Sequence, residues 1–199
     1  MEVACGQERT LSRGEVFTAH VFCGGRKIPA VYNVRNHKFV TLGYENHADT
    51  AIDTATVGCV TVPWKVVAPD GHVFRVTGVG CHAFANCRRL TEVVLPDSLS
   101  DIGDQAFMNC NSLRHIVLPP GTKYLWPYAF RGCINLQRIE VKAAVPIDSY
   151  NDVFDERALR FATLVVPAAS ADAYRSAFVW NMFRYCVPNW DGENIKNKK

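Results

Sequence analysis

The sequence predicts an α/β solenoid: a right-handed coil with one parallel β-sheet, short helical turns on the other face, an N-terminal β cap and a C-terminal helical cap. Three observations carry this. Ala83-Phe84, Ala106-Phe107 and Ala129-Phe130 recur every 23 residues. Cys87, Cys110 and Cys133 keep step with them, as do Leu90, Leu113 and Leu136, then Val93, Ile116 and Ile139. Pro96 and Pro119 close two of the copies.

A fixed period of this length with apolar residues at set offsets is the signature of a leucine-rich-repeat coil. One such unit cannot bury its own apolar face, so it must stack on its neighbours. Within a unit, the alternation in Leu113–Leu118 predicts a strand with Ile116 and Leu118 inward. The preceding stretch, Ile102–Phe107, reads as a tight turn with one turn of helix, Phe107 pointing in. One strand per coil, stacked about 4.8 Å apart, gives a parallel sheet along one face. The repeated cysteines fit a narrow interior column, where a small, mildly apolar thiol packs well. A stacked column does not select pairs, so no disulfide is expected there. Cys5, Cys23, Cys59, Cys81 and Cys186 have no ligand spacing and are read as free.

The organisation follows from where the repeat starts and stops. Residues 1–58 lack it and show short β-like runs, Val16–Phe22 and Lys38–Leu42, divided by Gly24-Gly25 and Asn36-His37 turns. They are read as an N-terminal β cap over the first core layer. The solenoid spans 59–167. It begins with Val60-Thr61-Val62-Pro63, detours through a hairpin at Pro69-Asp70-Gly71, and runs in units 76–98, 99–121 and 122–144. A longer, degenerate fourth unit has Val153-Phe154 24 residues after Ala129-Phe130, with its extra residues in a loop around 145–152. Residues 168–190 are read as the C-terminal cap, with Ser170 as N-cap of a helix and Trp180, Phe183 and Trp190 closing the last layer. Residues 191–199 form a flexible tail.

The 199 residues, 48% hydrophobic and 21% charged, have the composition of an ordinary globular domain. A formal charge of +3 with scattered Lys and Arg is too weak to argue for nucleic acid. No apolar run approaches the roughly 18 residues of a transmembrane helix, so no membrane insertion is expected. Met1-Glu2-Val3-Ala4-Cys5 has neither the basic start nor the apolar core of a signal peptide.

With these residues in place, the unit Ile102–Pro119 resembles the BspA-like leucine-rich repeat family of gut and oral Bacteroidetes and some protozoa. The lead-in Val73–Gly80 and the closing Thr163–Tyr174 look like that family's flanking segments, so the resemblance covers about 59–187. It implies a surface or secreted adhesion and interaction protein without catalytic activity. Two residues depart from the pattern: Trp126 stands where neighbouring units have Gly80 and Gly103, and Lys142 replaces the closing proline.

Outward strand positions form two rows on the concave sheet. One is Cys59, Glu92, His115, Arg138 and Thr163; the other is Thr61, Val94, Val117, Glu140 and Val165. The ligand-binding stripe expected there is Glu92, His115 and Arg138 with Val94, Val117 and Glu140, because solenoids usually bind on such faces. A solvated face whose charges merely pair is the alternative. Tyr124, Trp126 and Tyr128 alternate and project to one side. Exposed, they would be aromatic anchors of a protein or sugar interface. Burial of large aromatics favours instead a Trp126 that fills space over the irregular fourth unit.

No catalytic site is expected. Cys110 falls in the interior column and His115 on the sheet face, so they point apart. Cys81-His82 near Cys87 lacks zinc spacing, and no phosphate-binding loop or nucleophile elbow appears. No metal or cofactor is expected. The function predicted is non-catalytic binding of a protein or glycan at or outside the cell surface, the alternative being a structural spacer or assembly module.

Overall fold

The computed structural model describes residues 11–44 and 49–189; Cys5, Trp190 and the 191–199 tail lie outside the described residues. The chain starts as an antiparallel meander of β1 (Val16–Cys23), β2 (Arg26–Val34) and β3 (Phe39–Leu42). In β1, Phe17, Ala19 and Val21 alternate inward. Gly24 and Gly25 both have positive φ, which lets a two-residue turn follow the twist of its strands. Next come β4 (Gly58–Thr61), β5 (Lys65–Val67) and β6 (Val73–Val79). The β5–β6 hairpin turns at Gly71 as its Pro-Asp-Gly sequence requires.

The remaining strands are β7 (Leu90–Val94), β8 (Asp101–Ile102), β9 (His115–Leu118), β10 (Tyr124–Leu125), β11 (Arg138–Val141), β12 (Asp148–Ser149), β13 (Thr163–Pro167) and β14 (Tyr185–Asn189). They form two parallel ladders on opposite sides of the coil. The long ladder is β4-β7-β9-β11-β13-β14, and the short one is β6-β8-β10-β12. The meander joins them, because β1 pairs with β4 and β3 pairs with β6. The result is a solenoid in which one hydrogen-bonded path links thirteen of the fourteen described strands, with β5 branching from it by pairing with β6.

The short ladder is the main addition to the expected single strand per coil. Where a helical turn was anticipated, Asp101-Ile102 pairs with Gly78-Val79 and then with Tyr124-Leu125. Hydrogen-bonded turns follow each short strand. They depend on left-handed residues that also obey the 23-residue period: His82, Gln105 and Tyr128, then Asn86, Asn109 and Gly132. Asn and Gly occupy this region at least cost, which accounts for the second set. Even these turns pair from coil to coil: the Phe84 N–H donates to the Ala106 carbonyl at 2.7 Å, and the Phe107 N–H to that of Ala129 at 2.8 Å.

Between the ladders lies the core. Phe84, Phe107, Phe130 and Phe154 stack nearly parallel with centroid separations of 4.9, 5.1 and 5.4 Å. The column ends where Trp180 and Phe183 meet Phe154 edge-on. Beside it runs the cysteine column. The Cys110 thiol donates to the Phe84 carbonyl and the Cys133 thiol to that of Phe107, both at 3.1 Å. Cys23, Cys59, Cys87, Cys110, Cys133 and Cys186 are free thiols.

The C-terminal region differs from expectation in three respects. Helix α1 (Glu156–Phe161) occupies the degenerate unit, and part of the anticipated loop is strand β12. Helix α2 (Ala171–Ser176) forms, but Ser170 does not cap it with its side chain. Its hydroxyl instead donates to the Ala144 carbonyl at 2.6 Å, tying the cap to the preceding coil. Finally, β14 extends the long ladder by one strand beyond β13. Trp180 is buried, and its indole N–H donates to the Ile147 carbonyl at 2.8 Å.

Phe107 is flanked by rings on both sides, so Phe107→Ala is expected to cost about 3–5 kcal/mol, measured by denaturant unfolding. The cysteine column yields a second outcome. Burial raises the Cys87 thiol pKa to about 12, and contact with the Cys133 thiol, then burial, pushes Cys110 upward. Thiolate is the reactive form. Alkylation at pH 8 followed by peptide mass mapping should therefore leave both cysteines unlabelled in the native protein and label them after unfolding.

Candidate functional site

Strand stacking fixes the neighbours on the outer side of the long ladder. In one row Cys59 pairs with Glu92, Glu92 with His115, His115 with Arg138, and Arg138 with Thr163. In the other, Thr61 pairs with Val94, and Val117 with Glu140. Glu92, Val94 and Arg138 are exposed; His115, Val117 and Glu140 are half-buried. A shallow cleft of about 260 Å³ opens beside part of this surface, with Glu92, Val94, His115, Val117, Asp97 and Lys142 on its walls, while Arg138 and Glu140 do not line it.

The charges on this face are partly spoken for. Arg138 reaches along its own strand to Glu140 at 3.2 Å. Nε2 of His115 is buried and has no hydrogen-bond partner among the described residues. Burial, then the neighbouring Glu92, raises the Cys59 thiol pKa, opposite to what a thiol nucleophile needs. The apolar row does not run open throughout: Val165 is only 2% exposed, although it lies outside the core cluster. Asp97 and Lys142 were absent from the expected stripe because they follow the strands, where alternation no longer assigns a side.

A second concavity lies on the short ladder. Tyr124 pairs with Asp148, and Leu125 with Ser149. Trp126 stacks on Tyr150 with centroids 6.1 Å apart and planes at 24°. Together with Phe178 from the C-terminal cap, these residues wall a cavity of about 660 Å³. Trp126 is 45% exposed, against the expectation that it is buried as a space-filler over the irregular fourth unit. Tyr124 is similarly exposed, while Tyr128 is half-buried with Arg131 over its ring at 5.0 Å and does not line the cavity. Asp148, Tyr150 and Phe178 could not be found by repeat offset, because they sit in the irregular unit and the cap.

Among the described residues no group of three or more His, Cys, Asp or Glu is placed to hold a metal ion. No described helix is long and apolar enough to cross a membrane.

A family model for the BspA type leucine rich repeat region matches residues 73–181 in six copies, more than half of the chain. No curated protein matches the sequence significantly. Among solved structures, the chain is similar to a leucine-rich repeat protein from Bacteroides capillosus at 20% identity and TM-score 0.40, covering 56% of this chain and 93% of that one. It is similar to a leucine-rich cell surface protein from Faecalibacterium prausnitzii at 14% identity and TM-score 0.48, covering 87% of this chain and 55% of that one. For a leucine-rich repeat protein from Bacteroides ovatus the values are 21% and 0.48, with 78% and 38% covered. The chain thus spans about half or less of the last two proteins.

The contrasting tryptophans give a direct check on burial. Trp180→Ala should cost about 3–5 kcal/mol as a core truncation. Trp126→Ala, at a half-exposed position, should cost about 1 kcal/mol or less. Urea unfolding of both variants against the wild type measures the difference.

Proposed function

The chain belongs to the BspA-type leucine-rich repeat family, and from that premise we propose that it is a non-catalytic binding module working at or outside the cell surface. It engages a protein or glycan ligand through the open face of the long ladder. The observation that carries this reading is the fixed row of Glu92, His115 and Arg138 on consecutive strands, flanked by the apolar Val94 and Val117. Such a row offers charge of both signs at set intervals, and its stiffness reduces the ordering cost of binding. Glu140 belongs to the same surface, since it orients Arg138. The cleft beside Glu92 and His115 is polar at Glu92 and Lys142 and apolar at Val94 and Val117, a mixture suited to recognition.

One observation favours a different reading. The Arg138–Glu140 pair satisfies its charges internally, as a structural spacer or assembly module would. Arg138→Glu separates the two. It places two carboxylates near each other on an exposed strand, so its stability cost should stay near about 1 kcal/mol. At a ligand, like-charge contact costs several kcal/mol. Capture from panels of extracellular proteins and immobilised glycans should therefore yield a ligand for the wild type and lose it in the variant. Absence of any ligand for either form would support the spacer, and a ligand kept at full affinity by the variant would remove the stripe as its site.

A further inference from the structure

We propose that the cavity on the short ladder is a second binding site, specific for a neutral oligosaccharide of pyranose rings with mainly equatorial substituents. This stands apart from the sheet-face reading, since the two sites lie on different ladders and share no residue.

The first argument is the sequence's departure from its own repeat. Gly80 and Gly103 occupy the position that Trp126 holds in the third unit. There the coils are crowded: a Cβ on Gly80 would lie 2.2 Å from the Tyr44 carbonyl oxygen, and one on Gly103 2.8 Å from the Gly80 carbonyl carbon. The third unit replaces the smallest side chain with the largest and then leaves it 45% exposed. Core packing does not account for that, because the interior at this level is already filled by Phe130 and Leu125, both fully buried.

The second argument is the arrangement of the rings. Tyr124, Tyr150 and Phe178 are 49%, 51% and 66% exposed, whereas the phenylalanine column is buried. Trp126 and Tyr150 stack on each other from neighbouring coils, 6.1 Å apart and 24° from parallel, and set a pair of aromatic rings on the cavity wall. The cavity volume of about 660 Å³ lies in the range of small-ligand clefts.

The third argument is the pairing of flat faces with unused polar edges. Among the described residues, the hydroxyls of Tyr124 and Tyr150, the Trp126 indole N–H and the Asp148 carboxylate make no side-chain hydrogen bond within the protein. A pyranose with equatorial substituents has the complementary layout. Its flat face of polarised C–H bonds meets the negative face of an aromatic ring, and its rim of hydroxyls meets the donors and the carboxylate. Asp148 is the sole ionisable acid or base on the cavity wall other than the tyrosine phenols. It accepts hydrogen bonds from sugar hydroxyls but repels a sialic or uronic acid, so the ligand class is neutral.

The test titrates the full chain with cellotetraose, lacto-N-neotetraose and sialyllactose, following tryptophan fluorescence and backbone chemical shifts. At least one neutral probe should bind saturably, with shifts centred on Tyr124, Trp126 and Asp148, and sialyllactose should bind at least about tenfold more weakly. Trp126→Ala should weaken binding of the neutral probe by at least about tenfold, while Trp126→Phe keeps most of it. Thermal unfolding of each variant checks the fold. Trp64→Ala, at an exposed tryptophan away from the cavity, and Arg138→Glu should both bind as the wild type does. The proposal is overturned if neither neutral probe binds at millimolar concentration, or if binding survives Trp126→Ala. It is equally overturned if Arg138→Glu rather than Trp126→Ala abolishes binding, or if only a tryptophan-containing peptide occupies the cavity.

Discussion

Successive coils are held at a separation that two unrelated interactions share. Hydrogen-bonded strands lie about 4.7–4.9 Å apart, and stacked aromatic rings attract from about 4.5 Å outward. Because the two optima nearly coincide, the phenylalanine column and both ladders are satisfied by one translation per unit. The column opens from 4.9 to 5.4 Å towards Phe154, at the unit that is one residue longer than the others. The same translation decides which side chains are allowed elsewhere. Thiols at Cys110 and Cys133 are small enough to reach a carbonyl on the preceding coil, and Gly80 and Gly103 leave room for backbone to pass.

A coil built this way commits its inward positions to packing and leaves its outward ones free to vary. The long ladder spends that freedom on charge, with Glu92, His115, Arg138 and Glu140 over four strand positions. The short ladder spends it on aromatic surface, with Tyr124 on one strand, Trp126 just beyond it and Tyr150 just beyond the next. The two surfaces therefore differ in chemistry while resting on the same core. Substitutions on either should have little effect on folding, since neither set belongs to the buried ring column.

The repeat made the interior legible. Phe84, Phe107 and Phe130 declare their column by spacing alone, and Cys87, Cys110 and Cys133 declare theirs. Alternation within Leu113–Leu118 likewise marked the long ladder. What escaped had no period to betray it. Strand β2 was hidden by Pro29, which interrupts an otherwise β-like run. The short ladder was hidden by its two-residue strands, too brief to show alternation, and by left-handed residues such as His82 and Gln105 whose identity does not announce that conformation. At the candidate sites, Trp126 was visible as an anomaly in the repeat, but its exposure was not. That depends on Tyr150 and Phe178, which arrive from an irregular unit and a cap and meet it only in three dimensions.

The meander β1-β2-β3 has a mechanical meaning. Its strand pairing joins the long ladder through β4 to the short ladder through β6, so the two sides of the coil are continuous in one sheet at the N-terminal end, whereas further along they are linked by the turns of each coil and the packing between them. Tension applied at the C-terminal end meets β14 and the aromatic cap first, and each coil that yields gives up contacts with a single neighbour. The same tension applied at the N-terminal end meets β1, which is paired with β2 along eight positions and with β4 at two more. The two ends are therefore built unequally for load, the C-terminal one as a stack of single coils and the N-terminal one as a sheet paired on both sides of β1.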